Sequence, residues 1–281
     1  PVYMAAGDCR VAPLSVGVEN EEKLSMTLGT IGIFHALSTK PIIDKNCKLY
    51  TVGNCIKGVW QFEAFAQAGA SCLEWFKENF CQLEDANAKL TGQNVYQLLN
   101  LEAARSPIGA RGLLFGPWLN AAACIREDFD ASGTFIGLTY AHNKGDMVRA
   151  VMEGVCFEMK MVLDAIIDSA GTDPKEIRSA GGGSKSDLWN QMQADIYNLP
   201  IQLTKTAEAT SLGVAMCVAV GHGYYKSLHD AAEQMVKLDK RYEPIPENVE
   251  KYQKLADIYE QMYAAASKVF PALNGYQKAN Y

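Results

Sequence analysis

Apolar and polar positions recur with different periods along the chain, and the changes of period mark its elements. The apolar opening run, residues 1–6, stops at Gly7-Asp8 and predicts a buried strand ending in a turn. Residues 23–37 are rich in Thr, Ile and Leu and are interrupted by Gly29-Thr30-Ile31-Gly32. With a shorter candidate at 48–52 they predict adjacent antiparallel strands. From 59 to 80 the spacing reads as helical and puts Phe62, Phe65, Ala66, Gly69, Leu73 and Phe76 on one side. A further helix is expected over 93–104. Gly and Pro break the pattern over 106–116, and the chain stays irregular to Asp130. Asp146 opens a long amphipathic helix that runs to Ala170, with Gly171 placed to end it. A strand at 177–180 leads into Gly181-Gly182-Gly183, and a helix starts near Ser184. A short strand at 200–203, a small-residue helix at 210–220 and two amphipathic helices over 227–270 follow. Strands grouped first, then alternating with helices, make one α/β domain.

Composition narrows the class. With 281 residues, 48% hydrophobic and 21% charged, the chain holds enough apolar material for one large core or two smaller ones. Disordered and fibrous classes are excluded. A net charge of -6 leaves no clustered basic footprint for nucleic acid or an anionic membrane, so small molecules or proteins are the expected partners. Eight scattered cysteines contain no C-x-x-C pair and no short Cys/His cluster, so neither a zinc site nor a redox motif is expected. They read as reduced, mostly buried thiols of a cytoplasmic protein. No apolar run is of membrane-spanning length and no signal peptide opens the chain. The start on Pro1, inside an apolar run, reads as a cut within a longer protein.

Three places could carry chemistry. Gly181-Gly182-Gly183 lies between a strand and a helix, where the lack of Cβ atoms lets the backbone approach a ligand and the helix start offers unpaired N–H groups. Ser184 and Asp187 have capping-box spacing, and Leu188, Met192 and Ile196 form that helix's apolar stripe. Equally, the triplet is a tight turn with no ligand; it is neither a Walker A loop nor a G-x-G-x-x-G fingerprint. Gly29-Thr30 in a strand region is a bend that can present N–H groups and a hydroxyl to phosphate, or else a bulge or hairpin turn. Asp8, after the first apolar run, has the chemistry to take a proton from an attacking hydroxyl, although an Asp after a Gly is also an ordinary turn residue.

The most specific run is Gly133-Thr134-Phe135-Ile136-Gly137-Leu138, seven residues, then Asp146-Met147-Val148-Arg149-Ala150-Val151-Met152-Glu153. Ala68-Gly69-Ala70-Ser71, the glycine triplet continuing through Ser186 and Trp189, and Glu208 to Ala215 fall in the same order. Together these segments resemble the C-terminal domain of the FGGY carbohydrate kinases, especially xylulokinase-like members and the autoinducer kinase. Those enzymes are built from two actin-like, ribonuclease-H-like domains. The resemblance implies an actin-like α/β domain with a mixed sheet flanked by helices over residues 1–281, lacking the N-terminal sugar-binding domain. It implies that Asp8 is the catalytic base, that Gly29 and Thr30 contact phosphate, that Gly69 makes a backbone contact to nucleotide, and that Gly181, Gly182, Gly183 and Ser186 hold the adenosine. ATP and Mg2+ are the implied cofactors, with the metal carboxylate on the missing domain and no metal ligand in this chain. The implied partners are a small sugar or polyol, the N-terminal domain and, as is common in the family, a second copy in a homodimer. Glu153 and Trp189 read as structural despite lying in motifs, and His35, His142, His222 and His229 match no motif.

The chain also departs from the pattern. Where many relatives carry Gly-Glu-Arg-x-Pro before the signature, this chain has an unusual loop from Trp118 to Phe129. Its acceptor is therefore expected to be a ketopentose such as xylulose, another polyol or acid, or a linear sugar analogue. Without its N-terminal domain the chain is expected to bind nucleotide weakly and turn over negligibly. The alternatives are a non-catalytic actin-like regulatory module and a degenerate kinase kept as a sugar sensor.

Overall fold

In the computed structural model, which describes residues 2–3, 6–206 and 209–280, the first element is helix α1 (Asp8–Ser15), capped by Gly7. The strand expected at the opening is absent among the described residues: Val2 is 99% exposed, and residues 1, 4 and 5 lie outside them. Gly7-Asp8 begins a helix. An acidic residue in the first helical turn suits the exposed N–H groups there.

Strands β1 (Lys23–Leu28) and β2 (Gly32–Ser38) form the expected hairpin through the Gly29 turn. β3 (Tyr50–Gly53) starts two residues later than its candidate and ends one later, and β4 (Trp60–Ala66) occupies the first part of the segment that reads as helix. The run Trp-Gln-Phe-Glu-Ala-Phe-Ala fits either period; pairing decides it, because β4 is hydrogen-bonded to β2 on one side and β3 on the other. Phe62, Ala64 and Ala66 face the core, and Phe65 leaves the face the helical reading gave it. Only then does a helix begin, α2 (Ala70–Phe80), followed by the unanticipated α3 (Gln82–Thr91) and by α4 (Val95–Arg105).

A small hairpin of β5 (Leu114–Gly116) and β6 (Thr134–Ile136) stands in the stretch that reads as irregular. Then comes α5 (Lys144–Ala170), begun by an Asn143–Asp146 capping box and ended by Gly171 at φ 62°. β7 (Glu176–Ala180), α6 (Asp187–Tyr197) and β8 (Ile201–Thr204) match their expected places. α7 (Ala209–Gly221), α8 (Leu228–Met235), the unanticipated edge strand β9 (Leu238–Tyr242), α9 (Pro246–Ala266) and α10 (Phe270–Asn280) complete the chain.

The main sheet runs β3-β4-β2-β1-β7-β8-β9, with β1, β7 and β8 parallel and the outer strands antiparallel. Alternation of side chains gives it two unlike faces. On one, Leu24, Met26, Leu28, Phe34, Phe62, Ile177 and Ile201 meet the buried stripe of α5 and form the main core. On the other, which carries α1, α7 and α8, Ser25, His35 and Glu63 stand in one cross-strand row.

The signature over 133–153 is a structural lock. The buried Asp146 accepts from the Ser106 hydroxyl at 2.6 Å, and Arg149 donates to Glu153 at 2.6 Å, to the Ser106 carbonyl at 2.8 Å and to the Tyr252 hydroxyl at 3.0 Å. Burial lifts the Glu153 carboxyl above its ordinary range even against Arg149. Gly137 and Gly154 leave room for the carbonyls of Gly112 and Phe115. The unusual loop is likewise anchored: Arg126 pairs with Glu158 and Glu260 and lies 3.9 Å from the Tyr263 ring centre. Of the cysteines, all free, Cys72, Cys81 and Cys156 are fully buried, fewer than expected. Among the described residues no helix is long and apolar enough to cross a membrane.

Candidate functional site

β1 and β7 are parallel neighbours, and both end in glycine turns on the same edge of the sheet. That places Gly29-Thr30 beside Gly181-Gly182-Gly183, the crevice position where α/β sheets bind ligands. A cleft of about 440 Å³ opens there. Its walls are Thr30, the first turn of α2 with Ala70, Ser71, Leu73 and Glu74, the α4 face with Asn94, Tyr96, Gln97 and Asn100, and Gly182, Gly183, Lys185, Ser186 and Trp189.

Backbone packing holds the turn. Ala70 N–H donates to the Gly29 carbonyl at 2.7 Å, and the Ser71 hydroxyl donates to the Thr30 carbonyl at 2.6 Å. A Cβ on Gly69 would lie 2.6 Å from both of those carbonyl oxygens, so only glycine fits. Gly181 sits at φ 102° with the Leu28 carbonyl oxygen 2.9 Å from where a Cβ would be. Gly182 is exposed, with nothing within 4 Å of a Cβ position. Burial pushes the Cys72 thiol, just inside α2, up to about 12, so it stays protonated.

The glycine-rich strand end is fixed just as firmly to α6. Ser186, not Ser184, is the cap: its hydroxyl accepts from Trp189 N–H at 3.1 Å and donates to Asn100 at 3.0 Å. Ser184 instead donates to the Gly181 carbonyl at 2.7 Å. Asp187 accepts from the Tyr242 hydroxyl at 2.6 Å and from Lys240 at 2.9 Å, and these bonds hold its carboxyl below the usual range. The buried Trp189 indole donates to the Met152 carbonyl at 3.1 Å, the structural part expected for it.

Of the residues singled out in the sequence, Thr30, Gly182, Gly183 and Ser186 line the cleft, while Gly29, Gly69 and Gly181 build the backbone beneath it. Asp8 is not in the lining. It stands exposed at the start of α1 on the other side of the sheet, accepting only from Cys9 N–H, at 2.8 Å, among the described residues. The α4 wall is what sequence reasoning missed. Asn94, Gln97 and Asn100 are amides three residues apart, one face of a helix, and that spacing was the available signal. His35 is fully buried beneath α1, and burial, then Arg10, pushes its imidazole down to about 3, so it is neutral. Among the described residues no group of three His, Cys, Asp or Glu side chains could hold a metal ion.

The arrangement can hold a flat, partly polar ligand between two helices, with an anionic end over the Thr30 turn and the α2 start. The family described as "FGGY family of carbohydrate kinases, C-terminal domain" matches residues 24–222. Xylulose kinase of Staphylococcus epidermidis is 31% identical over 93% of this chain and 51% of its own length. An autoinducer-2 kinase of Photorhabdus laumondii is 30% identical over 94% of this chain and 50% of its own. Among solved structures, ligand-bound xylulose kinase from Lactobacillus acidophilus superposes with a TM-score of 0.82 at 26% identity, covering 94% of this chain and 51% of that one. The chain spans about half the length of the curated relatives it matches. The fold is that of the actin-like sugar kinases, and the chain belongs to the FGGY family of carbohydrate kinases.

Proposed function

We propose that this chain is the nucleotide-binding half of an ATP-dependent kinase that transfers the γ-phosphate of ATP to a hydroxyl of a small sugar or polyol, a xylulose-like ketose before others. The observation that carries the reading is the cleft where the Gly29-Thr30 and Gly181-Gly182-Gly183 turns meet the start of α2. The nucleoside lies between α4 and α6, with Gly182 and Gly183 giving close backbone approach and Ser186, Asn100 and Gln97 supplying polar contacts. The phosphates run over Thr30, whose hydroxyl makes no bond to the described residues, and toward the N–H groups that open α2.

Asp8 is the general base in this reading. It takes the proton from the acceptor hydroxyl as that oxygen attacks the γ-phosphorus, and ADP leaves. Its exposure and its place outside the cleft suit a group that meets an acceptor held by a second domain, N-terminal to this one. Mg2+ would enter on the nucleotide phosphates, since it keeps waters and phosphate oxygens as ligands and this chain offers no carboxylate cage among its described residues. When bound it neutralises charge on the transferring group. By itself the chain binds ATP weakly and turns over negligibly, because acceptor positioning and domain closure are absent.

The test is Asp8→Asn in the full-length protein, assayed for acceptor-dependent ADP release with D-xylulose, D-gluconate and glycerol. Turnover is expected to fall by about 10²–10⁴-fold with ATP binding retained. Loss of ATP binding as well would make Asp8 structural, and unchanged turnover would remove it from the chemistry.

A further inference from the structure

We propose that Gln61 is the positioning residue for Asp8, acting by taking over a hydrogen bond that Pro13 deletes from the first turn of α1; the inference rests on the reading of Asp8 as base. In a regular helix the carbonyl of residue 9 accepts from the N–H of residue 13. Here residue 13 is a proline inside α1, so that N–H does not exist and the ring crowds the same carbonyl. Gln61, fully buried on β4, fills the gap: its Nε2 donates to the Cys9 carbonyl at 2.9 Å. The amide is used at both ends. Its Oε1 accepts from Asn54 Nδ2 at 2.8 Å, and that Asn54 group also donates to the Arg10 carbonyl at 3.2 Å. Gln61 Nε2 reaches Glu63 at 3.1 Å as well, and Glu63 pairs with the Arg10 guanidinium.

The turn that carries Asp8 is therefore gripped at two consecutive carbonyls and one side chain, all from the β3–β4 hairpin. Asp8 has no comparable hold of its own, since its carboxylate accepts only from the adjacent Cys9 N–H among the described residues. Its position is inherited from the bracket. Neither an apolar nor an acidic side chain substitutes for the amide: leucine or methionine lacks the donor, and an ionised glutamate would face both a carbonyl and Glu63. The proline and the glutamine form one device, a helix start freed from its own ladder and tied to the sheet.

The test is a double-mutant cycle in the full-length protein, using whichever of D-xylulose, D-gluconate and glycerol turns over best. Gln61→Met is expected to lower kcat by about tenfold or more with KM for ATP nearly unchanged, since the cleft is built elsewhere. Pro13→Ala restores an N–H at residue 13, so Gln61→Met is expected to cost less than about threefold in that background. In Asp8→Asn, whatever turnover remains is expected to be insensitive to Gln61→Met. Equal cost with and without Pro13, or a rise in KM for ATP that matches the fall in kcat, overturns the inference. If Gln61→Met is not recovered folded, recovery of Pro13→Ala/Gln61→Met supports the pairing and failure of both overturns it. Wild-type turnover in Asp8→Asn sinks the base assignment instead, and loss in Asp8→Asn without loss in Gln61→Met sinks only this inference.

Discussion

The cleft at the glycine turns and the Asp8 turn are held in place by opposite means. In the cleft, backbone packs on backbone: Gly69 lets the Gly29-Thr30 carbonyls sit against α2, and Gly181 lets the last residue of β1 sit against the glycine-rich turn. Under α1, side chains do the holding, through Asn54, Gln61, Glu63 and Arg10, on a sheet face that also buries His35 with no hydrogen-bond partner among the described residues. A backbone-built site tolerates no added Cβ at its packed glycines, Gly69 and Gly181, and its backbone contacts carry no titrating group. A site built from a buried polar bracket is sensitive to each amide and charge in it.

Gly69→Ala is expected to have the largest effect, because the clash is with two carbonyl oxygens that cannot rotate away. It should destabilise by about 1–3 kcal/mol in urea unfolding and weaken ATP binding by about tenfold or more by calorimetry.

On the other side, His35 gives the bracket a pH dependence. Its folded pKa of about 3 lies below its unfolded value, so the unfolded chain takes up a proton first as pH falls. The stability contribution is full above about 6.5 and is lost from there toward about 3, reaching on the order of 1 kcal/mol of loss at pH 5.5. Asp8, Arg10 and Glu63 are the charged groups facing it. Replacing it, as in His35→Phe, should flatten the fall in urea-unfolding stability between pH 7 and 5.5 by about that amount.

The smallest effect is expected at Gly182, where a Cβ meets open space. Gly182→Ala should change stability by less than about 0.5 kcal/mol, so any loss of ATP binding there reports on the ligand and not on the fold.

What the sequence made legible follows the same division. The Gly29 turn, the glycine triplet and the long helix ended by Gly171 were readable because glycine states local geometry directly, whereas the helix start expected at Asp146 lies at an Asn143 capping box. The segment 59–80 was misread because its first seven residues fit two periods and only their pairing with β2 and β3 settles the matter. The cap at Ser186 displaced the one expected at Ser184 because a 3-10 turn intervenes at Gly182–Lys185. Gln61 was invisible for a different reason. Pro13 announces a missing N–H, but the group that answers it lies far along the chain, on a strand. The spacing of the α4 amides was in the sequence, but nothing there put that helix face beside the glycine turns.

One paired measurement tests the division of labour most directly: ATP titration by calorimetry and acceptor-dependent ADP release on the same full-length samples of Asp8→Asn and Gly69→Ala. The expected result is that Asp8→Asn binds ATP like the unaltered protein with turnover lower by about 10²–10⁴-fold, while Gly69→Ala binds ATP about tenfold or more weakly. Lost binding in Asp8→Asn, or unchanged binding in Gly69→Ala, would contradict the account.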